Sequence, residues 1–320
     1  MNTLFLNKYQ PVYFDEFVTD NALIEVLNAL LQMNNVNILF IGDTGTGKTT
    51  FLNAVIREYY RDFPLSQYQD NILYINSLKE QGINYYRNDV KTFCQTCTTM
   101  KQKKKLVVLD DIDIINEHSQ QVFRNYMDKY NNNVQFLASC SNSQKVIESL
   151  QSRFTIIKIN QLQKHQLHQI MSRIVDQEQI CITDPAKEFI LNVSNNNAKM
   201  LINYMEKCKL LNQRIDMDVA TNICTNVSFL LLEQYTRFLL HGQLSSAVKL
   251  LYEIYDKGYS VMDILDNYFL FVKTTDLLTE PQKYDIIQII CKYITIFHNI
   301  HEDEIELGLF SNNIIHKLTN

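Results

Sequence analysis

Eight consecutive residues carry the clearest chemistry in this chain: Gly42-Asp43-Thr44-Gly45-Thr46-Gly47-Lys48-Thr49, with Thr50 directly after them. Their spacing fits G-x-x-x-x-G-K-[ST], a loop that cradles the phosphates of a nucleotide. Glycine lets the backbone curl until its N–H groups point at phosphate oxygens. A helix that starts at the end of the loop adds a partial positive charge. Lys48 is expected to reach the β and γ phosphates of ATP, and Thr49 to ligate Mg²⁺. Three of the seven glycines fall inside these eight residues. A ligand-free turn has little use for such a concentration.

A second block completes the chemistry. Leu106-Val107-Val108-Leu109 is an apolar run that ends in Asp110-Asp111-Ile112-Asp113. In open α/β sheets ligands bind at the carboxyl ends of the strands. Asp110 is expected to hold Mg²⁺ directly or through water, and Asp111 to polarise an attacking water. A solvated acidic turn is the bland alternative. The phosphate loop some 60 residues earlier makes it the weaker one.

These groups need a scaffold that brings strand ends together. In the first half, short apolar runs alternate with helical stretches. Strands are expected at 37–41, 71–75, 106–109, 134–139 and 155–159. Helices are expected at 48–60, 84–100 and 119–130. That alternation predicts parallel βαβ units with helices on both faces of the sheet. Beyond residue 160 the strands vanish. Helices are expected at 161–177 and 198–211, and another starts at Asp184-Pro185, with Asp184 as its N-cap. The predicted division is an α/β nucleotide-binding domain at 1–159, a helical lid at 160–226 and an all-helical domain at 227–320. In the last of these, Gly242, Gly258 and Pro281 punctuate the helices.

Composition narrows the classes. The chain has 320 residues, 46% hydrophobic and 20% charged, with few Gly and Pro, as expected of a helix-rich globular protein. A net charge of −5 argues against a surface that grips nucleic acid all over, while leaving room for a local basic face. No secretory leader and no apolar run of membrane-spanning length is visible. Seven scattered cysteines suit a reducing compartment.

Several blocks, in order along nearly the whole chain, resemble the small subunits of replication factor C, the AAA+ sliding-clamp loaders. Asp110-Asp111-Ile112-Asp113 resembles their D-E-A-D box, and Lys8-Tyr9-Gln10-Pro11 their K-Y-R-P. The segment from Asn76 to Gly82-Ile83 resembles N-A-S-D-E-R-G-I. Ser119-Gln120-Gln121-Val122-Phe123-Arg124 resembles A-Q-Q-A-L-R. Glu148-Ser149-Leu150-Gln151-Ser152-Arg153-Phe154 resembles E-P-L-Q-S-R-C. Ala247-Val248-Lys249-Leu250-Leu251 and the stretch from Gly258 to Leu265 resemble the collar.

The resemblance implies an ATPase, stimulated by clamp and DNA, in a ring with other clamp-loader subunits. Such a ring opens a sliding clamp and loads it on primer–template DNA without reading sequence. It implies that Tyr9 and Pro11 border the adenine and that Arg153 acts in trans as an arginine finger. It implies that Arg87 and Lys91 track DNA phosphates, and that the protein works where DNA is replicated, in a nucleus or, for a prokaryote or a cytoplasmic virus, in cytoplasm. Four positions depart from the family pattern. Asp111 stands for Glu. Ser141, with Asn142 beside it, stands for the sensor Asn, and either could meet the γ-phosphate or water. Lys199 stands for the lid Arg, and Phe154 for Cys. These departures leave two readings open, an active ATPase or a scaffold that binds ATP and lends Arg153 to its neighbour. A related AAA+ DNA remodeller is the third.

Other clusters are expected to be inert. Cys94-Gln95-Thr96-Cys97 lacks the second pair that a zinc site needs. His165 and His168 should lie on a solvated helix face. The run Lys101-Gln102-Lys103-Lys104-Lys105 should be a solvated loop at the sheet end away from ATP, with contact to clamp or DNA as the lesser alternative.

Overall fold

The computed structural model describes residues 4–76, 82–98, 100, 103–224, 229–297 and 301–319. Most of the segment between Asn76 and Gly82, and Lys101 and Gln102 of the basic run, lie outside them. By packing, the chain divides into two units, Met1–Ile174 with Asn196–Asn203, and Val175–Asn195 with Tyr204–Asn320.

The first unit is built on β1 (Ile38–Ile41), β2 (Ile72–Asn76), β3 (Lys105–Asp110), β4 (Val134–Cys140) and β5 (Thr155–Lys158). All pair in parallel, in the order β2-β3-β4-β1-β5. Its helices are α1 (Phe5–Lys8), α2 (Asn21–Gln32), α3 (Lys48–Tyr59), α4 (Leu65–Tyr68), α5 (Ile83–Gln95), α6 (Glu117–Lys129) and α7 (Glu148–Gln151). The α/β expectation holds, and β3 shows why. Its side chains alternate between faces. Leu106 and Val108 enter one buried cluster, with Phe51, Leu52 and Val55 of α3. Val107 and Leu109 enter the opposite cluster, with Val90 of α5 and Phe123 of α6. A strand covered on both faces must be apolar throughout, so Asp110 is only tolerated at its end.

Because the strands are parallel, their carboxyl ends share one edge. β4 lies between β1 and β3. The loop after β1 and the acidic end of β3 therefore flank the end of β4. The amide of Gly42 closes the gap by donating to the Cys140 carbonyl at 3.3 Å.

The remaining helices are α8 (Lys164–Glu178), α9 (Asp184–Val193), α10 (Ala198–Leu211), α11 (Met217–Ile223), α12 (Phe229–Leu240), α13 (Leu244–Tyr255), α14 (Val261–Thr274), α15 (Glu280–Phe297) and α16 (Ile305–Thr319). In the second unit, aromatic edges lock several of them together. Phe229 meets Phe189 and Phe271, and Tyr268 meets Tyr235 and Phe310, with ring centroids 5.1–6.0 Å apart. The fully buried Tyr235 hydroxyl is satisfied by Ser311 Oγ at 2.9 Å. α14 opens with a capping box: Asp263 N donates to Ser260 Oγ, and Ser260 N to the Asp263 carboxylate.

Four details correct the sequence reading. α5 stops at Gln95, capped at Thr96, so Cys94 is buried in the helix while Cys97 is exposed beyond it. α6 begins at Glu117, because the Asn116 side chain accepts from Ser119 N and caps it. The cap of α9 is Thr183, and Asp184 is already helical, its carboxylate paired with Lys187 at 2.9 Å. Of the basic run, the described Lys103, Lys104 and Lys105 are not simply solvated. Lys105 opens β3 and is buried, its amine donating to Thr96 Oγ1 at 2.5 Å and lying 4.6 Å from the Phe93 ring centre. Burial pushes its pKa down. Lys104 Nζ donates to the Asn131 carbonyl, and Lys103 covers the Tyr59 ring. His165 and His168 are exposed, as expected.

Candidate nucleotide-binding site

The phosphate loop joins β1 to α3. Gly47 is the N-cap of α3 at φ 93, and Gly45 sits at φ 81. Side chains other than glycine rarely adopt that left-handed backbone. Asp43 and Thr44 are exposed, and Thr46 Oγ1 donates to the Asp43 carbonyl at 2.8 Å. Lys48 is buried. Its amine donates to the carbonyls of Gly42 at 2.8 Å and Asp43 at 3.0 Å, and to Ser141 Oγ at 3.0 Å. Three ammonium protons thus meet three acceptors.

Thr49, on the first turn of α3, donates to both carboxylate oxygens of Asp110, at 3.2 and 3.1 Å. Ser139 Oγ, from β4, donates to Asp110 Oδ1 at 2.6 Å, and Tyr74, from β2, donates to Oδ2 at 2.9 Å. Burial and the Asp110 charge hold the Tyr74 phenol well above its ordinary pKa, so it remains a donor. Hydroxyl and carboxylate oxygens are the donor set that Mg²⁺ prefers. Thr49 and Asp110 therefore fit the ion that accompanies ATP.

Asp111 follows in left-handed backbone, φ 54 and ψ 54, a conformation that Asp tolerates better than most residues. Its amide donates to Ser139 Oγ at 2.9 Å. One serine on β4 thereby fixes both acidic residues. Burial first, then the charges of Asp110 and Asp113, push the Asp111 carboxyl above the usual range, with Lys48 opposing. A carboxylate of raised pKa is a better base.

The structure separates Ser141 from Asn142. Ser141 reaches Lys48, whereas the Asn142 side chain turns away to accept from Gln144 N at 2.9 Å. Both amides donate to Asp113 Oδ2, at 3.2 and 3.0 Å. Asp113, given no role from sequence, fastens that loop.

The N-terminal segment packs beside the loop. Gln10 Nε2 donates to Thr50 Oγ1 at 3.5 Å. Tyr9 is buried edge-on to Phe5, and Pro11 is half-buried. Lys199 is exposed on the first turn of α10. The contact from that turn to the loop comes instead from Asn197, whose Nδ2 donates to the Thr44 carbonyl at 3.4 Å. Gln161 reaches the Asp43 carboxylate at 2.9 Å. None of Asn197, Gln161, Ser139 and Tyr74 belongs to a motif, and only their contacts reveal them.

The other candidates lie apart from this cluster. Arg153 follows α7 and forms a two-pronged pair with Asp128 of α6. Arg87 and Lys91 are exposed on α5, one turn apart, away from its buried Tyr86, Val90 and Cys94.

Residues 38–162 match the ATPase family associated with various cellular activities (AAA), and residues 230–294 match the replication factor C C-terminal domain. The replication factor C small subunit 2 of Pyrobaculum islandicum is 31% identical over 268 residues, which is 83% of this chain and 82% of that protein. The chain belongs to the replication factor C small-subunit family. The replication factor C small subunit of Methanoculleus marisnigri is 29% identical, covering 69% of this chain and 68% of its own length. Replication factor C subunit 4 of Schizosaccharomyces pombe is 25% identical, covering 88% and 82%. Among solved structures, the Holliday junction branch migration motor RuvB of Thermotoga maritima superposes with a TM-score of 0.54 at 15% identity, over 76% of this chain and 85% of that one. This likeness shows the AAA+ fold. As a replication factor C small subunit, the chain is an ATP-binding AAA+ clamp-loader protein of DNA replication. No helix among the described residues is long and apolar enough to cross a membrane.

Proposed function

We propose that this chain binds Mg²⁺·ATP and hydrolyses it as one subunit of a ring that opens a sliding clamp and loads it on primer–template DNA. One observation carries the reading: Lys48 with Thr49, Asp110 and Ser141, from three separate segments, converge at the carboxyl edge of the sheet. Lys48 turns from its three protein acceptors to the phosphates, and Ser141 stays beside the outermost one. Tyr9 and Pro11 border the adenine, with Thr50 and the loop from Gly42 to Gly47 around the phosphates. Mg²⁺, when bound, would neutralise charge developing on the transferred phosphoryl group. Thr49 and Asp110 would hold it, and Asp111 would orient the attacking water. Lys199 supplies charge from the lid. Arg153 reaches a neighbour's ATP, and Arg87 with Lys91 meets DNA phosphates, which position without specifying sequence. In this scheme residues 1–159 bind nucleotide, 160–226 form the lid, and 227–320 form the collar that joins the ring. The names of the relatives support replication as the setting.

A second reading has its own support. Asp111 is one methylene shorter than the family's Glu. A displacement of about 1 Å can cost about 10²-fold in rate. The chain would then hold ATP and lend Arg153 while cleaving little itself.

Steady-state ATPase of the assembled ring decides, with and without clamp and primed DNA. Lys48→Ala and Arg153→Ala are placed in this chain alone. Stimulated turnover that falls with Lys48→Ala makes the chain a motor. Turnover that resists Lys48→Ala but falls with Arg153→Ala makes it a scaffold. A complete ring that ignores both clamp and DNA would sink the clamp-loading function for this chain.

A further inference from the structure

The edge strand β2 brings a side chain to the site that neither motif contains. Along β2, Leu73 and Ile75 pack into the cluster on the α5–α6 side, and Ile72 into the one on the α3 side. Alternation puts Tyr74 on the α3 side too. The register sets Tyr74 beside Val108 and Asn76 beside Asp110. The phenol spans those two steps and donates to Asp110 Oδ2 at 2.9 Å. The residue is 40% exposed.

Asp110 thus receives three hydroxyls. Ser139 holds Oδ1, Tyr74 holds Oδ2, and Thr49 touches both. Thr49 is the one that must also offer a lone pair to a cation. Ser139 and Tyr74 stand outside the phosphate loop and need not move. One donor on each oxygen fixes the plane of the carboxylate.

We propose that Tyr74 is a positioning residue for the divalent cation: its hydrogen bond to Oδ2 presents Asp110 in the orientation that Mg²⁺·nucleotide requires. This rests on the reading of Thr49 and Asp110 as the Mg²⁺ side of the site. Mg²⁺ demands near-octahedral geometry and tolerates a misaligned carboxylate poorly. Partners that orient a metal ligand are typically worth about 10–100-fold in metal affinity. Tyr74→Phe keeps the ring and removes only the donor.

The test measures affinity of the full-length chain for a fluorescent ATP analogue, once with saturating Mg²⁺ and once in EDTA. Wild type, Tyr74→Phe and Thr49→Ala are compared. Mg²⁺ should tighten binding to wild type. Tyr74→Phe should lose about 10-fold of that tightening with its affinity in EDTA unchanged. A wild-type Mg²⁺ effect in Tyr74→Phe, alongside its loss in Thr49→Ala, overturns the role of Tyr74 and spares the site. Equal weakening with and without Mg²⁺ reduces Tyr74 to a wall of the pocket and overturns the proposal. If Mg²⁺ does not tighten binding to wild type, the metal site and the role of Tyr74 fail together.

Discussion

Arg153 and Asp128 face each other fork to fork, Nε to Oδ1 at 2.7 Å and Nη2 to Oδ2 at 2.9 Å. The remaining nitrogen, Nη1, donates to the Ser149 carbonyl. The pairing holds the Asp128 carboxyl below its usual range and keeps the guanidinium charged. Both side chains remain solvent-accessible, so the pair adds little to folding. Its consequence is geometric. Asp128 fixes the plane of the guanidinium, and Nη1 can leave a neutral carbonyl for an anion on another subunit.

If Arg153 serves a neighbour, its loss should appear at that neighbour's site. In a ring where only the adjacent ATP site is intact, Arg153→Ala is expected to lower turnover by about 10³-fold. Arg153→Lys keeps the charge but loses the fork. It should recover less than about a tenth of the lost rate. ATP binding by this chain should be unaffected, which a nucleotide titration checks. Full turnover in Arg153→Ala would leave the residue a surface ion pair.

Asp111 couples stability to pH. Its carboxyl is raised by burial and by Asp110, so the folded chain holds that proton more tightly than the unfolded chain does. Its contribution to stability is present below the unfolded pKa, about 3.9, and is lost as pH rises through the folded value. At neutral pH the ionised group therefore costs stability. Asn tolerates the same left-handed backbone. Asp111→Asn is expected to melt higher than wild type at pH 7 without nucleotide. Its hydrolysis should fall by about 10²-fold or more. A lower melting temperature at pH 7 would show that the charge is not destabilising.

The sequence made the site's chain-local parts legible. Phosphate loop and acidic strand end are contiguous runs whose spacing reflects one local geometry, so Lys48, Thr49, Asp110 and Asp111 could be named in advance. Tyr74, Ser139 and Asn197 act only through sheet register and helix placement. No short pattern announces them. Sequence left Ser141 and Asn142 level, and only the contacts tell them apart: Ser141 Oγ accepts from Lys48, and Asn142 Oδ1 accepts from Gln144 N. Lys105 misled because a run of lysines looks solvated, whereas the strand begins inside the run and carries its last member into the core.

Gln120 is a buried amide with its bonds made. Nε2 donates to the carbonyls of Ile115 and Lys145, at 2.8 and 2.9 Å, and Oε1 accepts from Ile147 N at 2.9 Å. The residue is fully buried on α6. Gln120→Leu would take this partner from three backbone groups, that of Ile115 in a buried setting. A loss on the order of 3 kcal/mol is expected, as buried polar groups lose their partners. Urea unfolding measures it. A change below about 0.5 kcal/mol, within the range of ordinary surface substitutions, would mean that water replaces the amide.

Gly45 and Asn197 provide a test in which two substitutions should not add. Gly45 stands at φ 81, and a Cβ there would fall 2.3 Å from Asn197 Nδ2. Gly45→Ala therefore meets two penalties, the left-handed backbone, about 1–2 kcal/mol, and the collision. Asn197 has its own duty. Its Oδ1 accepts from the amides of Lys199 and Met200, capping α10. Asn197→Ala should cost about 1 kcal/mol. In the double variant the collision disappears and only the backbone strain and the lost cap remain. Its destabilisation should fall short of the sum of the single ones, and denaturant unfolding of all four proteins measures the difference. Strict additivity would show that Asn197 simply swings aside. In that case its contact with the Thr44 carbonyl would not hold the phosphate loop in shape.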